Sequence, residues 1–547
     1  MNLKSLYIAL ALAAPLSAGA EVRLPRIFSP GMVVQRDAEV RLHGTAEPGE
    51  AVKVLVRDSR GRAVGPRKGY ATTADGAGKW AVSLAALRAG GPYTITVNDI
   101  TLDDVLSGDV FFCSGQSNME LPVRRVMEKY ADEVNAYSNP QVRHFNTPQE
   151  VEYGEPRGDV NGGSWTAVTP GTAQSMSAIA YFMANELNSR TGVPVGIINS
   201  SWGGTPIEAW MSEAALAGWP RALSMKRQYA DPAYRDAVKA VEGQNYMHWN
   251  MALDSGDPGL ADAVKWYADG LDDSAWPEVS PLYTADWNTD GLNAVNGSHW
   301  LRKDIELDAD AAGAEGVLRL GCIVDADSVY VNGRLVGSTT YMYPPRIYRV
   351  PAGVLRAGRN NITVRVISQH GRGGLVPDKA LSLTAGSRVY HIAGAWRYRR
   401  GAVTDAGPGM QFWHYSPTVL YASMVAPYRG LPLAGVVWYQ GESNVGRRNE
   451  YAGLLTSMIA DWRETLGNDG LPFYIVELAD FLHPSDTGGR AAWAEMRAQQ
   501  ARVAETVPGA TLIRNSDLGE WNDIHPLDKK TPGCRVADAI TATMKSK

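Results

Sequence analysis

From about residue 22 to 105, apolar residues alternate with polar ones: Val52, Val54 and Val56, then Tyr93, Ile95 and Val97, with Gly/Pro turns between the runs. This period of two predicts a small N-terminal β-sandwich over 22–105. Near 106 the alternation gives way to continuous apolar runs. Asp109-Val110-Phe111-Phe112-Cys113 leads into Ser114-Gly115-Gln116-Ser117-Asn118. Ile179, Met183 and Leu187 then mark one face of a helix that stops before Gly192, and Val193 to Ile198 is a second short strand, running into Asn199-Ser200-Ser201-Trp202-Gly203-Gly204. Strand, helix, strand with unbroken apolar runs predicts a parallel sheet covered on both faces.

Between about 255 and 405 the period of two returns. Val329-Tyr330-Val331 and Leu335-Val336 flank Asn332-Gly333, a strong hairpin signal, and Ile362, Val364 and Val366 alternate. Apolar runs then resume at Leu433–Tyr439, Phe473–Val476 and Ala510–Ile513, and a helix from about Gly533 ends the chain. Neither run-bearing half has enough strands for a sheet of its own. The expected organisation is therefore one α/β domain, in parts 106–254 and 406–547, interrupted by an all-β insert over 255–405.

Composition narrows the picture. The chain has 547 residues, 45% hydrophobic and 20% charged, which excludes a disordered or fibrous protein. Lys plus Arg number 53 against 58 Asp plus Glu, and this acid-leaning balance argues against a nucleic-acid partner. Sixteen Trp supply either core bulk or flat faces for sugars. Residues 1–20 read as an export signal, with Lys4, the apolar run Leu6–Leu16 and the small residues Ala18-Gly19-Ala20. That run is too short to span a membrane, so a periplasmic or secreted protein beginning at Glu21 is expected, with no membrane partner. Three Cys cannot build a disulfide framework; Cys113 and Cys534 are the pair to consider, and free thiols are favoured.

The chemistry is expected beyond the carboxyl ends of the strands, where ligands bind in open parallel sheets. Three apolar strands end there in small polar residues: Gly115-Gln116-Ser117-Asn118, Trp202-Gly203-Gly204-Thr205 and Gln440-Gly441-Glu442. Trp521-Asn522-Asp523-Ile524-His525-Pro526 adds a carboxylate and an imidazole. Acyl transfer needs a nucleophile, a base, a group to orient the base and donors for the oxyanion. Ser117 is the candidate nucleophile and His525 the base. Oxyanion donors are sought in the N–H groups of Ser117 and Gly204 and the amide of Gln440. Asp523 is the first choice as orienter, Glu442 the rival, and a backbone carbonyl the third option. Gly-x-Ser-x-Gly, His-Glu-x-x-His, paired Cys-x-x-Cys, Walker and dinucleotide motifs are missing, so no metal or cofactor is expected. His414 either lines the pocket or is a structural histidine; Glu495 and Arg497 need no role beyond a helix surface.

Gly115-Gln116-Ser117-Asn118-Met119, Trp438-Tyr439-Gln440-Gly441-Glu442-Ser443-Asn444 and Asp523-Ile524-His525-Pro526 resemble the motif blocks of the sialate O-acetylesterase family, carbohydrate esterases of the SGNH-hydrolase superfamily. Gly203–Trp210, Pro417–Tyr428 and Trp493–Arg497 fit the same family. The resemblance implies a three-layer α/β/α catalytic domain, no cofactor and release of acetate from sugar hydroxyls. It implies Ser117 as nucleophile, His525 as base, and Gly204 and Gln440 at oxyanion positions. Tyr421-Ala422-Ser423-Met424 departs from the family's usual Tyr-Asn-Gly-Met, which touches substrate contacts rather than the reaction. Asp272–Trp276 through Trp300, with the Asn332-Gly333 hairpin, resembles jelly-roll sugar-binding domains appended to glycosidases, so the insert is expected beside the cleft, in contact with glycan. The alternative is a carbohydrate-binding protein with a vestigial site. Because the motif loops hold no Arg or Lys, a neutral glycan such as acetylated xylan or xyloglucan is expected over a sialoside.

Overall fold

The computed structural model describes residues 22–282, 295–371 and 373–545; the expected export signal lies outside them. The protein is mixed α/β. Its central sheet runs, in spatial order, Ala510–Ile513, Phe473–Val476, Gly435–Tyr439, Ile100–Gly115, Val195–Ser201, Asn139–Asn146, Trp165–Val168. All neighbours pair in parallel except the last two. The two halves of the chain thus interleave: Gly435–Tyr439, from the second half, lies directly against Ile100–Gly115, from the first.

Helices cover both faces. Successive strand residues point to opposite sides, and Phe473 meets Trp462 of the Tyr451–Leu466 helix while Tyr474 reaches Thr543 of the Lys530–Lys545 helix. The latter packs on the Ala178–Thr191 helix, joined by Arg190 to Asp538. Gly192 ends that helix in the left-handed conformation, as its sequence suggests.

The Ile100–Gly115 strand runs through the expected boundary at 105/106. Its first residues pair antiparallel with Gly90–Val97 and its last with the parallel strands. Burial alternates up to Asp104 and is complete from Val105 onward. The period changes where the second face becomes covered, and the backbone does not break. The N-terminal strands consequently share one continuous apolar core with the central sheet.

The insert has its own core, between a six-stranded and a four-stranded antiparallel sheet. The Asn332-Gly333 hairpin forms with both residues at positive φ, 49° and 79°. Two of its arginines are fully buried and paired, Arg302 with Asp273 at 2.7 Å and Arg346 with Asp327 at 2.6 Å. The long helix Pro232–Ser255 precedes it and has no counterpart in the apolar pattern: only Trp249 and Leu253 are buried, while Val241, Met247 and Met251 face outward. Its signal is the start, Asp231 capping the N–H of Ala233 with Pro232 in the first turn. All three cysteines are free thiols. Among the described residues no helix is long and apolar enough to cross a membrane.

Trp462 is the hub of the central core. It meets Phe112, Trp438 and Phe473 edge-on or tilted, and its indole N–H donates to Trp210 O at 2.8 Å. Trp462→Ala should cost about 3–5 kcal/mol of stability. Denaturant unfolding checks this; a loss below about 1 kcal/mol would contradict Trp462 as the hub.

Candidate functional site

The site is built where strand ends from both halves meet. Gly115 closes the central strand at φ 139°, and a Cβ there would stand 2.0 Å from Tyr439 O. Only glycine permits that approach. Gln116 then locks the turn: its N–H donates to Tyr439 O at 3.0 Å, and its Oε1 accepts from the N–H groups of Gly441 and Ser443 at 3.4 and 3.3 Å. Ser117 follows as the first residue of the helical turn Ser117–Glu120.

The Trp202–Thr205 loop lies against it. A Cβ on Gly203 would be 3.4 Å from Ser117 Cβ. Gly203 N–H donates to Glu120, and Gly204 O accepts from Ser443 Oγ at 2.7 Å. Gly204, at φ 75°, is covered by Tyr415, whose hydroxyl would be 1.8 Å from a Cβ. Among the described residues the N–H groups of Ser117 and Gly204 have no acceptor in the chain. Both are therefore open to an oxyanion. His414 stacks on Trp202, with ring centroids 4.5 Å apart, and bonds to the backbone of Gly203. It shapes the wall of the site from the loop after the insert.

Gln440 is placed differently from the expectation. It is fully buried, and its Nε2 donates to Thr205 O at 3.2 Å and Asn444 Oδ1 at 2.8 Å, while its Oε1 accepts from Tyr451 at 2.8 Å. Both amide hydrogens are committed, so Gln440 braces the Gly204–Thr205 loop from behind and offers no donor to an oxyanion.

His525 reaches the site through Asn118. The side-chain amide next to Ser117 donates to Ile524 O at 2.9 Å and to Glu442 Oε1 at 2.7 Å. The turn that carries the nucleophile candidate and the loop that carries the base candidate are thus joined, although no hydrogen bond links Ser117 Oγ to the imidazole. Tyr343 of the insert meets the imidazole edge-on at 5.5 Å. Buried Arg346 fixes the Tyr343 loop by donating to the carbonyls of Met342 and Pro344, at 3.0 and 2.7 Å.

Neither carboxylate orients the ring. Asp523 Oδ1 accepts from the backbone N–H of His525 at 2.9 Å, an Asx turn, and its Oδ2 pairs with Lys379 of the insert at 3.2 Å. A spacing of two residues favours this backbone contact over one between the side chains. Glu442 Oε1 is held by Asn118 and its Oε2 is buried without a partner. Burial raises the carboxyls of both Asp523 and Glu442, against the pull of Lys379 on the first and Asn118 on the second. His525 Nδ1 is buried with no acceptor, a carbonyl included. Burial first, then the cations Lys529 and Arg125, push the imidazole down to about 3.

Sequence reasoning missed several residues here: Asn118, Lys529, Arg125, and, from the insert, Tyr343 and Lys379. A cavity of about 70 Å³ separates the domain from the insert and is lined by Arg125, Asp523 and His525 on one side and Cys322, Arg346 and Lys379 on the other. Arg125 Nε is buried there without a partner. Asn118 stands inside a quoted motif, so its neighbour status was visible; the two insert residues carry no local signal. Among the described residues no cluster of His, Cys, Asp and Glu is arranged to hold a metal ion.

The model of the family described as carbohydrate esterase, sialic acid-specific acetylesterase, matches residues 107–247 and 399–538. The chain belongs to this family of carbohydrate esterases. The matched stretches cover the two halves of the interleaved domain, and the insert's strands fall between them except the last, Trp396–Val403, which runs into the second stretch. Human sialate O-acetylesterase is 30% identical over 281 residues, covering 48% of this chain and 51% of that protein. The Rattus norvegicus sialate O-acetylesterase is 34% identical over 154 residues, 25% of this chain and 28% of that one. The chain thus matches about half the length of its curated relatives at most. Among solved structures, a carbohydrate acetylesterase from Xanthomonas citri is similar at 23% identity with a TM-score of 0.56, covering 96% of this chain and 76% of that one. At that identity the likeness concerns the fold.

A base must be neutral to accept a proton, so activity fails only as pH falls through the imidazole's own pKa. With that value far below the ordinary 6.5, kcat/KM on an aryl acetate should hold as pH drops through 6.5 and fail only in a much more acid range. A profile that collapses near 6.5 would contradict the buried, cation-flanked setting of His525.

Proposed function

We propose that the protein is an exported serine esterase that releases acetate from O-acetylated carbohydrate, with Ser117 as nucleophile and His525 as base. The hydrogen bond from Asn118 to Ile524 O carries this reading, because it ties the Ser117 turn to the His525 loop beside two free backbone N–H groups. In the first step Ser117 Oγ attacks the acetyl carbonyl carbon and its proton passes to the imidazole. The oxyanion is held by the N–H groups of Ser117 and Gly204. The intermediate collapses, the sugar oxygen leaves with the proton returned by His525, and an acetyl-serine remains. Water, deprotonated by His525, then frees acetate and restores Ser117. Asp523 is not required in this scheme as an orienter. Its carboxylate instead shapes the backbone turn that presents His525.

On substrate, we favour a carboxylate-bearing sugar over a neutral glycan. The motif loops lack a cation, yet folding brings the guanidinium of Arg125 to the cavity beside His525. A half-buried guanidinium whose Nε has no partner favours a carboxylate-bearing sugar, and the human and rat relatives are named sialate O-acetylesterases. The insert's Tyr343 and Lys379 close the same side, which supports glycan contact there.

Ser117→Ala should lower kcat by on the order of 10⁴-fold or more without unfolding the protein. Acetate release by the purified variant, with circular dichroism as the folding control, checks this; near-parental turnover would refute Ser117 as the nucleophile, whereas no acetate release by the parental protein would leave a binding protein as the better reading. Arg125→Ala should lower kcat/KM for an O-acetylated sialoside about tenfold more than for acetylated xylan, the scale of one charge-assisted hydrogen bond. Equal losses on both substrates would return the choice to neutral glycans.

A further inference from the structure

Lys529 is the one lysine buried completely in the described structure. Its Nζ donates to Asn118 Oδ1 at 2.8 Å and to Pro526 O at 2.9 Å, and it lies over the Tyr439 ring, 6.0 Å from the centroid. Asn118 in turn spends its amide on Ile524 O and Glu442 Oε1. The carbonyls immediately before and after His525 are therefore both gripped, one by Asn118 and the other by Lys529, and the two grips are bonded to each other. Glu442, on the far side of Asn118, supplies the opposite charge. A buried ammonium is costly unless paired or hydrogen-bonded, and both described side-chain hydrogen bonds of Lys529 serve this loop and the residue beside Ser117.

We propose that Lys529 is a positioning residue that sets the distance and angle between Ser117 and His525, acting through Asn118 and the Pro526 carbonyl. The proposal rests on the serine-esterase reading. Holding a base within reach of its nucleophile is worth most in the transition state, and a misplacement of about 1 Å costs on the order of 10²-fold. Lys529 also acts on the base electrostatically. Of the charged groups around it, Asp523, Glu442, Glu520 and Asp528 favour its ammonium while burial opposes it, leaving it lowered to about 8. The imidazole faces Lys529 and Arg125 as cations and the Tyr343 ring, while Asp523 is drawn off by Lys379. Removing Lys529 takes away one of the two charges that hold the imidazole down, so its pKa rises.

Lys529→Met keeps the side-chain stem but removes the donors and the charge. With an aryl acetate as substrate, kcat should fall on the order of 10²-fold while KM stays near parental, and the acid limb of kcat/KM should move to higher pH. Lys529→Arg, which restores a cation and donors, should recover part of kcat. A folded Lys529→Met enzyme with parental kcat and an unmoved acid limb would overturn the proposal, as would a loss wholly accounted for by a lower fraction folded. If Lys529→Met does not fold, Asn118→Asp decides: it keeps the acceptor for Lys529 but loses the donor to Ile524 O, and parental kcat there would overturn the proposal equally. Ser117→Ala is assayed alongside. Full activity in that variant defeats Ser117 as nucleophile and the serine-esterase reading with it, whereas its loss beside an unimpaired Lys529→Met defeats only the role of Lys529.

Discussion

The contact between Gly115 and Tyr439 is the constraint on which the rest of the site depends. It is where a strand from the first half of the chain ends directly against one from the second, with no room for a side chain at Gly115. Everything functional leaves from that point. Gln116 donates its N–H to Tyr439 O, Ser117 begins the next turn, and Gly441 to Asn444 are drawn into the same network. Because the sheet on either side is fully buried and braced by Trp462, the strand ends cannot slide past one another without breaking a close-packed core.

On this rigid edge the groups divide by task. The Ser117 and Gly204 N–H groups are left unpaired, as are Glu442 Oε2, His525 Nδ1 and Arg125 Nε, while the scaffold around them is committed: both hydrogens of Gln440, both ends of Asn118, the carbonyls flanking His525. Such a division matches what acyl transfer asks of a protein, open donors where charge develops and fixed groups elsewhere. It also explains why the base is depressed so strongly. Burial and the cations Lys529 and Arg125 disfavour an imidazolium, so the ring is held neutral.

The insert is part of this site through the base side alone. Lys379 pairs with Asp523 and with Glu520, at 3.2 and 2.6 Å, Asn522 donates to Pro377 O at 2.6 Å, and Tyr343 edges the imidazole. The His525 loop is thus clasped between two bodies whose cores are separate. A change in the insert's contacts acts first on His525 and on the cavity beside it, whereas Ser117 and Gly204 follow strands of the central sheet.

The sequence by itself determined the mixed α/β class, the large sheet with its flanking helices, and the Asn332-Gly333 hairpin. These are properties of period and of local turn chemistry: unbroken apolar runs mean a sheet covered twice, and small polar residues at their ends mark where a ligand fits. Tertiary structure alone decided how side chains share partners. Asp523 looked like an orienter because it lies near His525 in the chain, but an Asx turn and a lysine from the insert claim its oxygens. Gln440 looked like an oxyanion donor because of its motif, but burial behind Thr205 occupies its amide. Lys529 and Arg125 carried no signal at all, since their meaning comes from which backbone carbonyl or cavity lies within hydrogen-bond reach. Periodicity is written along one strand or helix; hydrogen bonds between residues hundreds of positions apart exist only once the two halves of the sheet have interleaved.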